Sequence, residues 1–321
     1  MVSRGPDSGI TRPLVVVGHH GAMTAVFDDS SHGVDWRLEL DRDALLPGQL
    51  VGGKVSVRSH GTVDARALIV ALRAIEHWQH QITTTDANGH TSTRTETTRQ
   101  DLVFEPVQVA SDVHLGPGET RDWSFELPVP PLGPASLEAR VAGLSWTVLA
   151  RLDVPGGFDS SIERPVRVLQ PTALLRSGAV HVGEFAMYSA TDVGADGVSG
   201  SVTMDPAPLC IGQPFHGTIT LHSAQARKLQ EIRVEIRVQV KATVSAGLDE
   251  TITAWAGVVQ TDLLEGDRTV EIEGTLDGPS LPSIELPHSQ TAATLHVILA
   301  TAFAPDPHLI RDVAIATTQE L

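Results

Sequence analysis

Histidine is the residue of this chain with the most evident capacity to bind a metal. The chain has 14 histidines, with close pairs at His19-His20 and at His77-Trp-Gln-His80. On a regular strand, neighbours and residues three apart point to opposite faces, so neither pair would converge on one ion. No cluster of cysteines or carboxylates completes a zinc site. We therefore predict neither a metal site nor a cofactor.

The nucleophile candidates are equally sparse. Cys210 is the only cysteine, and its counterpart in the internal repeat described below is Leu46, which indicates a small buried apolar residue. Gly143-Leu-Ser145-Trp-Thr147 lacks the second glycine of a nucleophile elbow. No phosphate-binding loop or dinucleotide fingerprint is present. The sequence therefore predicts a protein that is not an enzyme, with a metal-dependent or hydrolytic enzyme on a β scaffold as an alternative.

A threonine-rich segment, Thr83–Thr98, is the strongest candidate for binding a partner. Its Asn88-Gly89 is a strong hairpin-turn signal, and the threonines on either side could extend both arms as strands. We expect a long hairpin or a mobile loop. Its most interaction-capable side chains are those of Asp86, Asn88, His90 and Arg94. The alternative interpretation is a loop tip that tolerates variation and has no function.

The rest of the chain is predicted to form strands. Trp36-Arg-Leu38-Glu-Leu40 alternates apolar and charged residues, as a half-buried strand does. The same period of two runs from Ile232 to Val240 and favours a strand there over a helix. Turns rich in glycine and proline separate these segments. We predict an all-β protein built from immunoglobulin-like sandwiches, without long helices.

An internal repeat divides the chain in two. A shift of 164 residues carries Gly33-Val34 onto Gly197-Val198 and Gly48-Gln49 onto Gly212-Gln213 without a gap. Matched glycines in a common order indicate a duplication. We predict two tandem domains, residues 1–171 and 172–321, with a linker near Gln170 to Ser177. Gly48 and Gly212 are expected in equivalent turns at positive φ.

Charge and composition narrow the function classes. The chain has 321 residues and a formal net charge of −16, which argues against binding nucleic acid because phosphate binding needs clustered cations. The N-terminal residues are polar and lack the apolar core of a signal peptide. No apolar run is long enough to span a bilayer. We expect a cytoplasmic protein whose association with membranes is at most indirect.

Several motifs, taken in order, resemble the arrestin family. They are Trp36-Arg-Leu-Glu-Leu40, Leu46-Pro-Gly-Gln-Leu-Val-Gly-Gly-Lys-Val55, Arg99-Gln-Asp-Leu-Val-Phe104 and Leu115-Gly-Pro-Gly-Glu-Thr-Arg-Asp-Trp-Ser-Phe-Glu-Leu-Pro128. The C-terminal copy matches more loosely, so the resemblance covers nearly the whole chain. The resemblance to the arrestin family includes a bacterial branch, the sporulation-control proteins, which share the double sandwich.

The resemblance implies a non-enzymatic adaptor or scaffold that binds protein partners through loops and concave faces. It also places Thr83–Thr98 at the position of that family's exposed central loop. Pro130-Pro-Leu-Gly133 is the nearest approach to a Pro-Pro-x-Tyr motif, so recruitment of WW-domain ligases is not supported. A structural or surface module, such as a tandem of immunoglobulin-like or carbohydrate-binding domains, is the alternative from another class.

Overall fold

The structure, a computed structural model, describes residues 25–31, 33–157, 159–176, 192–193, 197–244, 246–277, 281–302, 306 and 308–319. Twenty strands and one short helix make up the regular structure of these residues. This confirms the predicted all-β class. The strands form two layers of sheet in each half of the chain, as expected of tandem sandwiches.

The N-terminal half contributes the first ten strands and two sheets. The strands are β1 (Ala25–Ser31), β2 (Val34–Leu40), β3 (Ala44–Leu45), β4 (Leu50–Ser59), β5 (Val63–Thr85), β6 (Thr91–Leu115), β7 (Thr120–Pro128), β8 (Leu137–Glu138), β9 (Ala142–Asp153) and β10 (Ser160–Val168). One sheet has the order β1-β2-β4-β7. The other has the order β3-β10-β9-β5-β6, with β8 beside β9.

The C-terminal half begins with helix α1 (Thr172–Arg176) and repeats this arrangement. Its strands are β11 (Asp192–Val193), β12 (Val198–Asp205), β13 (Leu209–Cys210), β14 (Pro214–Lys228), β15 (Glu231–Ala242), β16 (Asp249–Gln260), β17 (Leu263–Thr275), β18 (Ser289–Ala300), β19 (His308–Val313) and β20 (Ile315–Ala316). The sheets have the orders β11-β12-β14-β17 and β16-β15-β18-β19, and β13 pairs with β20.

The predicted alternation of apolar and charged residues determines which side chains form the core. In β2, Trp36, Leu38 and Leu40 are buried while Arg37 between them is exposed. The Trp36 indole donates its N–H to the Ser160 hydroxyl of β10 over 2.7 Å, a bond that joins the two sheets of the N-terminal half. An inward row of apolar side chains therefore forms the core, as strand periodicity requires.

The C-terminal core contains an aromatic pair. Phe215 of β14 meets Trp255 of β16 edge-to-face, with ring centroids 5.2 Å apart and planes at 80°. These two strands belong to different sheets, so the contact joins the layers of this half. Aromatic pairs in this geometry are more favourable than face-to-face stacks because ring edges and faces carry opposite partial charges.

The predicted turn glycines have the expected backbone. Gly48 has φ 82° and Gly212 has φ 73°, which confirms the positive values. In both turns the glycine N–H donates to the carbonyl of the residue directly after β7 or β17, Val129 and Leu276 respectively, each over 3.0 Å. A side chain at either glycine would meet the steric penalty of the left-handed region.

The described residues group into two compact units. The first contains the residues up to Ala74, Leu102–Pro131 and Trp146–Arg167. The second contains Ile75–Asp101, Leu132–Ser145 and the residues from Val168 onward. The far part of the β5–β6 hairpin therefore belongs to the unit of the C-terminal sandwich. The domain boundary at residues 171 and 172 stays a prediction.

Candidate functional site

The threonine-rich segment is a hairpin. Strand β5 ends at Thr85 and β6 begins at Thr91, so the turn occupies residues 86–90. Gly89 has φ 83°, as the Asn-Gly turn signal predicts. Every side chain from Thr83 to Thr95 is exposed. Of the two alternatives, hairpin and mobile loop, the structure has the hairpin.

Asp86 organises the turn. Its Oδ1 accepts hydrogen bonds from the backbone N–H groups of Asn88 and His90, each over 2.9 Å. Its Oδ2 lies 3.2 Å from Nδ1 of His90. Because these bonds favour the ionised carboxylate, foremost the one from the His90 backbone, the pKa of Asp86 lies below its ordinary value. Asp86 thus positions the turn, leaving the Asn88 amide and the His90 ring on its surface.

Hydroxyl pairs line both arms of the hairpin. Thr85 and Thr91 pair over 3.3 Å, Thr84 and Ser92 over 3.0 Å, and Thr83 and Thr93 over 3.1 Å. Successive pairs lie on opposite faces, so both faces of the tip carry hydroxyl groups. Farther along β6, Arg94 forms an ion pair with Glu96. The structure therefore places the four predicted residues in one exposed tip, three of them in the turn and Arg94 on β6.

The lower part of the hairpin is held by a buried carboxylate. Glu76 of β5 has no exposed surface. Its Oε1 accepts hydrogen bonds from the Ser289 hydroxyl over 2.7 Å and from the His288 N–H over 3.1 Å. Its Oε2 lies 3.0 Å from Nδ1 of His288. A buried carboxylate needs such partners, and these tie β5 to the start of β18.

Further contacts hold the residues around Glu76. The Trp78 indole stacks on the His288 ring with centroids 3.9 Å apart and planes at 8°. Trp78 is 6% exposed, so this stack is buried on the indole side. The N–H of Gln81 donates to the carbonyl of Ala246 over 3.1 Å. We call residues 75–81 the shaft and residues 83–98 the tip: the shaft is anchored and the tip is exposed.

The sequence analysis did not identify the contact between Glu76 and residues 288–289 that anchors the shaft. Leu72, Ala74, Glu76 and Trp78 share the inward face of one strand, and a carboxylate in that row signals a buried polar contact. That signal could have singled out Glu76. His288 lies 212 residues away, so no local pattern could have named it as the partner.

The other candidates for chemistry do not assemble into a site within the described ranges. No group of three or more potential metal ligands is close enough there to hold an ion, and His19-His20 lies outside those ranges. Cys210 is buried, as predicted, and burial raises the pKa of its thiol. Among the described helices, none has the length and apolar character needed to cross a membrane.

Comparison with known proteins agrees with the fold. Residues 35–174 match the family described as "Arrestin (or S-antigen), N-terminal domain", a range that runs from the second residue of β2 into helix α1. No curated protein sequence matches the chain. The family match falls on the sandwich whose motifs carry the resemblance noted in the sequence, and it includes the whole β5–β6 hairpin. Residues 35–174 thus form a domain of the arrestin N-terminal type.

Proposed function

We propose that this chain is a non-enzymatic adaptor that binds protein partners, and that the tip, residues 83–98, is where a partner docks. Proteins of the arrestin family are generally adaptors of this kind. A net charge of −16 favours a protein partner over a nucleic acid. We also expect the chain to act in the cytoplasm, which cell fractionation would test.

One observation carries the proposal: an anchored shaft presents an exposed tip. Three hydrogen bonds hold the buried Glu76, and the Trp78–His288 stack packs beside it. Beyond Ile82 no side chain of the tip packs into a core. An element that is rigid at its base and uncommitted at its end loses little conformational entropy when a partner binds.

The tip suits strand addition. Strand β6 is the outermost strand in the described order of its sheet, so one edge of its backbone is available for pairing. An extended peptide on such an edge gains affinity from main-chain hydrogen bonds and specificity from neighbouring side chains. We expect Arg94 and His90 to contribute that specificity, since both side chains are largely exposed.

Exchange of the tip tests the proposal. Replacing Asp86–Thr95 with a short Gly-Ser linker removes only exposed hydroxyl and charge contacts, so the melting temperature should change by no more than about 2 °C. Partner capture from the native organism, measured by affinity purification and quantitative mass spectrometry, should fall about tenfold or more for at least one protein.

The matched control is a surface change of similar character elsewhere. Thr269→Ala with Glu271→Ala alters exposed residues on the outer face of β17 and should leave both stability and capture unchanged. Equal capture by the wild type and the tip exchange would contradict docking at the tip. The concave sheet faces would then be the next surfaces to vary.

We further propose that the two halves arose by duplication, with domains at 1–171 and 172–321. Matching sheet orders, β1-β2-β4-β7 and β11-β12-β14-β17, support this. So do matching turns, because Gly33 and Gly197 have φ of 80° and 77° at equivalent positions of the repeat. Expression of residues 172–321 alone tests the boundary: a cooperatively folded product is expected. Membership of the bacterial sporulation-control branch likewise remains a proposal.

A further inference from the structure

Strand β6 has an apolar edge below the tip. It is the outermost strand in the described order of its sheet. Phe104 is 49% exposed and Val107 is 37% exposed, while Leu102 and Val103 are half-buried. An exposed strand edge with apolar side chains is a template for pairing with another chain. The edge is therefore a candidate interface that does not depend on the tip.

The charged residues along this edge can form ion pairs with the same residues of a second copy of the chain. Two copies of one strand paired antiparallel about a two-fold axis require one residue to face its own copy. When Leu102 is that residue, Arg99 faces Glu105 of the partner subunit, and the symmetry repeats this ion pair. Both side chains are exposed and point to the same face of the strand, because they are an even number of residues apart.

Neighbouring registers are less favourable. Centring the pair on Val103 places Asp101 opposite Glu105 of the partner subunit. The two-fold symmetry repeats this contact, so the register contains two pairs of like charges. Centring it on Gln100 brings Arg99 to Asp101 of the partner subunit but sets Phe104 against Glu96 of the partner subunit. Only the register at Leu102 joins opposite charges and keeps the apolar residues near the axis.

Pro106 limits the length of the pairing. Proline has no N–H to donate, so it is found where strand pairing ends. In the register at Leu102, the residues from Arg99 to Glu105 pair with their counterparts, and Pro106 follows at each end. Charges and proline on an edge normally prevent indiscriminate pairing. Here the same residues select one partner, a second copy of this chain.

We propose that β6, from Arg99 to Glu105, is a homodimer interface in which a second copy pairs antiparallel with Leu102 facing its own copy. Sedimentation equilibrium of the full chain should show reversible dimerisation that weakens at high salt, since exposed ion pairs are screened. A monomer at every concentration from micromolar to several hundred micromolar would overturn the proposal.

Charge exchange tests the register. Arg99→Glu and Glu105→Arg should each weaken the dimer about tenfold, because each creates two like-charge contacts. The double variant should dimerise as the wild type does. Unchanged melting temperatures would show that the variants are folded, as expected for exposed residues. A double variant as weak as either single one would overturn the proposal, as would rescue of Arg99→Glu by Asp101→Arg instead.

A covalent trap gives an independent test. In an antiparallel pair, a residue that faces its own copy has Cα atoms about 4.5–5.5 Å apart, within disulfide range. Leu102→Cys, placed in a Cys210→Ser background, should therefore form a disulfide-linked dimer under mild oxidation. Thr269→Cys in the same background is the control and should form no disulfide-linked dimer. Equal cross-linking of both variants would mean random collision and would contradict the interface.

Discussion

Removal of the Glu76 carboxylate is the perturbation whose effect the structure defines best. Glu76→Ala takes away the acceptor for three donors: the His288 N–H, the His288 ring Nδ1 and the Ser289 hydroxyl. Glu76 is fully buried, whereas the His288 side chain is 26% exposed. Water can therefore reach part of the vacated space, and the donors will be partly rather than wholly unsatisfied.

The expected loss in the free energy of unfolding follows from these contacts. A buried donor without a partner costs about 1–3 kcal/mol, so three partly hydrated donors give a loss of about 3 kcal/mol. For a unit of roughly 150–250 residues, that loss corresponds to a fall in melting temperature of about 6–12 °C. Glu76→Gln keeps the shape and one carbonyl oxygen, and should cost only about 1 kcal/mol.

Urea denaturation followed by tryptophan fluorescence measures the effect, because Trp78 stacks directly on His288. Hydrogen exchange should also rise in the shaft, residues 75–81, in Glu76→Ala. The control is Glu273→Ala, whose side chain is 82% exposed and which should cost less than about 0.5 kcal/mol. Equal stability of Glu76→Ala and Glu273→Ala would refute the argument that Glu76 anchors the shaft.

Three further predictions concern backbone and charge. Gly48→Ala and Gly212→Ala should each cost about 1 kcal/mol in urea denaturation because φ is 82° and 73°, whereas Gly61→Ala, with open space around it, should be nearly neutral. Burial lowers the pKa of His296 from 6.5, so stability should fall as the pH drops below that value, and His296→Gln should remove this component of the pH profile. Because the pKa of Asp86 is also lowered, the turn should persist above the ordinary 3.8 and open as the pH falls through the lowered value, seen as faster hydrogen exchange at residues 86–90.

Periodicity predicts the fold well because strand burial is a local property of the sequence. The run from Ile232 to Val240 alternates by type, and the structure has β15 there with the apolar residues inward. Turn glycines are predictable for the same reason, since positive φ selects glycine by sterics alone. The burial of Trp78 also follows from its place in an alternating strand.

The anchor of the hairpin depends on contacts that no local pattern encodes. Whether Thr83–Thr98 forms a hairpin or a loop depends on how Asp86 bonds within the turn and how the shaft is held. The shaft is held by Ser289 and His288, more than 200 residues from Glu76. Helix α1, at Thr172–Arg176, was likewise not predicted, because five residues are too few to show a helical period.

Site-specific photo-cross-linking distinguishes partner docking at the tip from docking elsewhere on the chain. A photo-reactive residue at Thr93 lies on an exposed face of the tip, and one at Thr269 lies on an exposed strand remote from it in sequence. In cells of the native organism, we expect a discrete cross-linked protein from Thr93 that is absent from Thr269. A partner that is captured by the whole chain, yet cross-links at Thr269 and not at Thr93, would contradict docking at the tip.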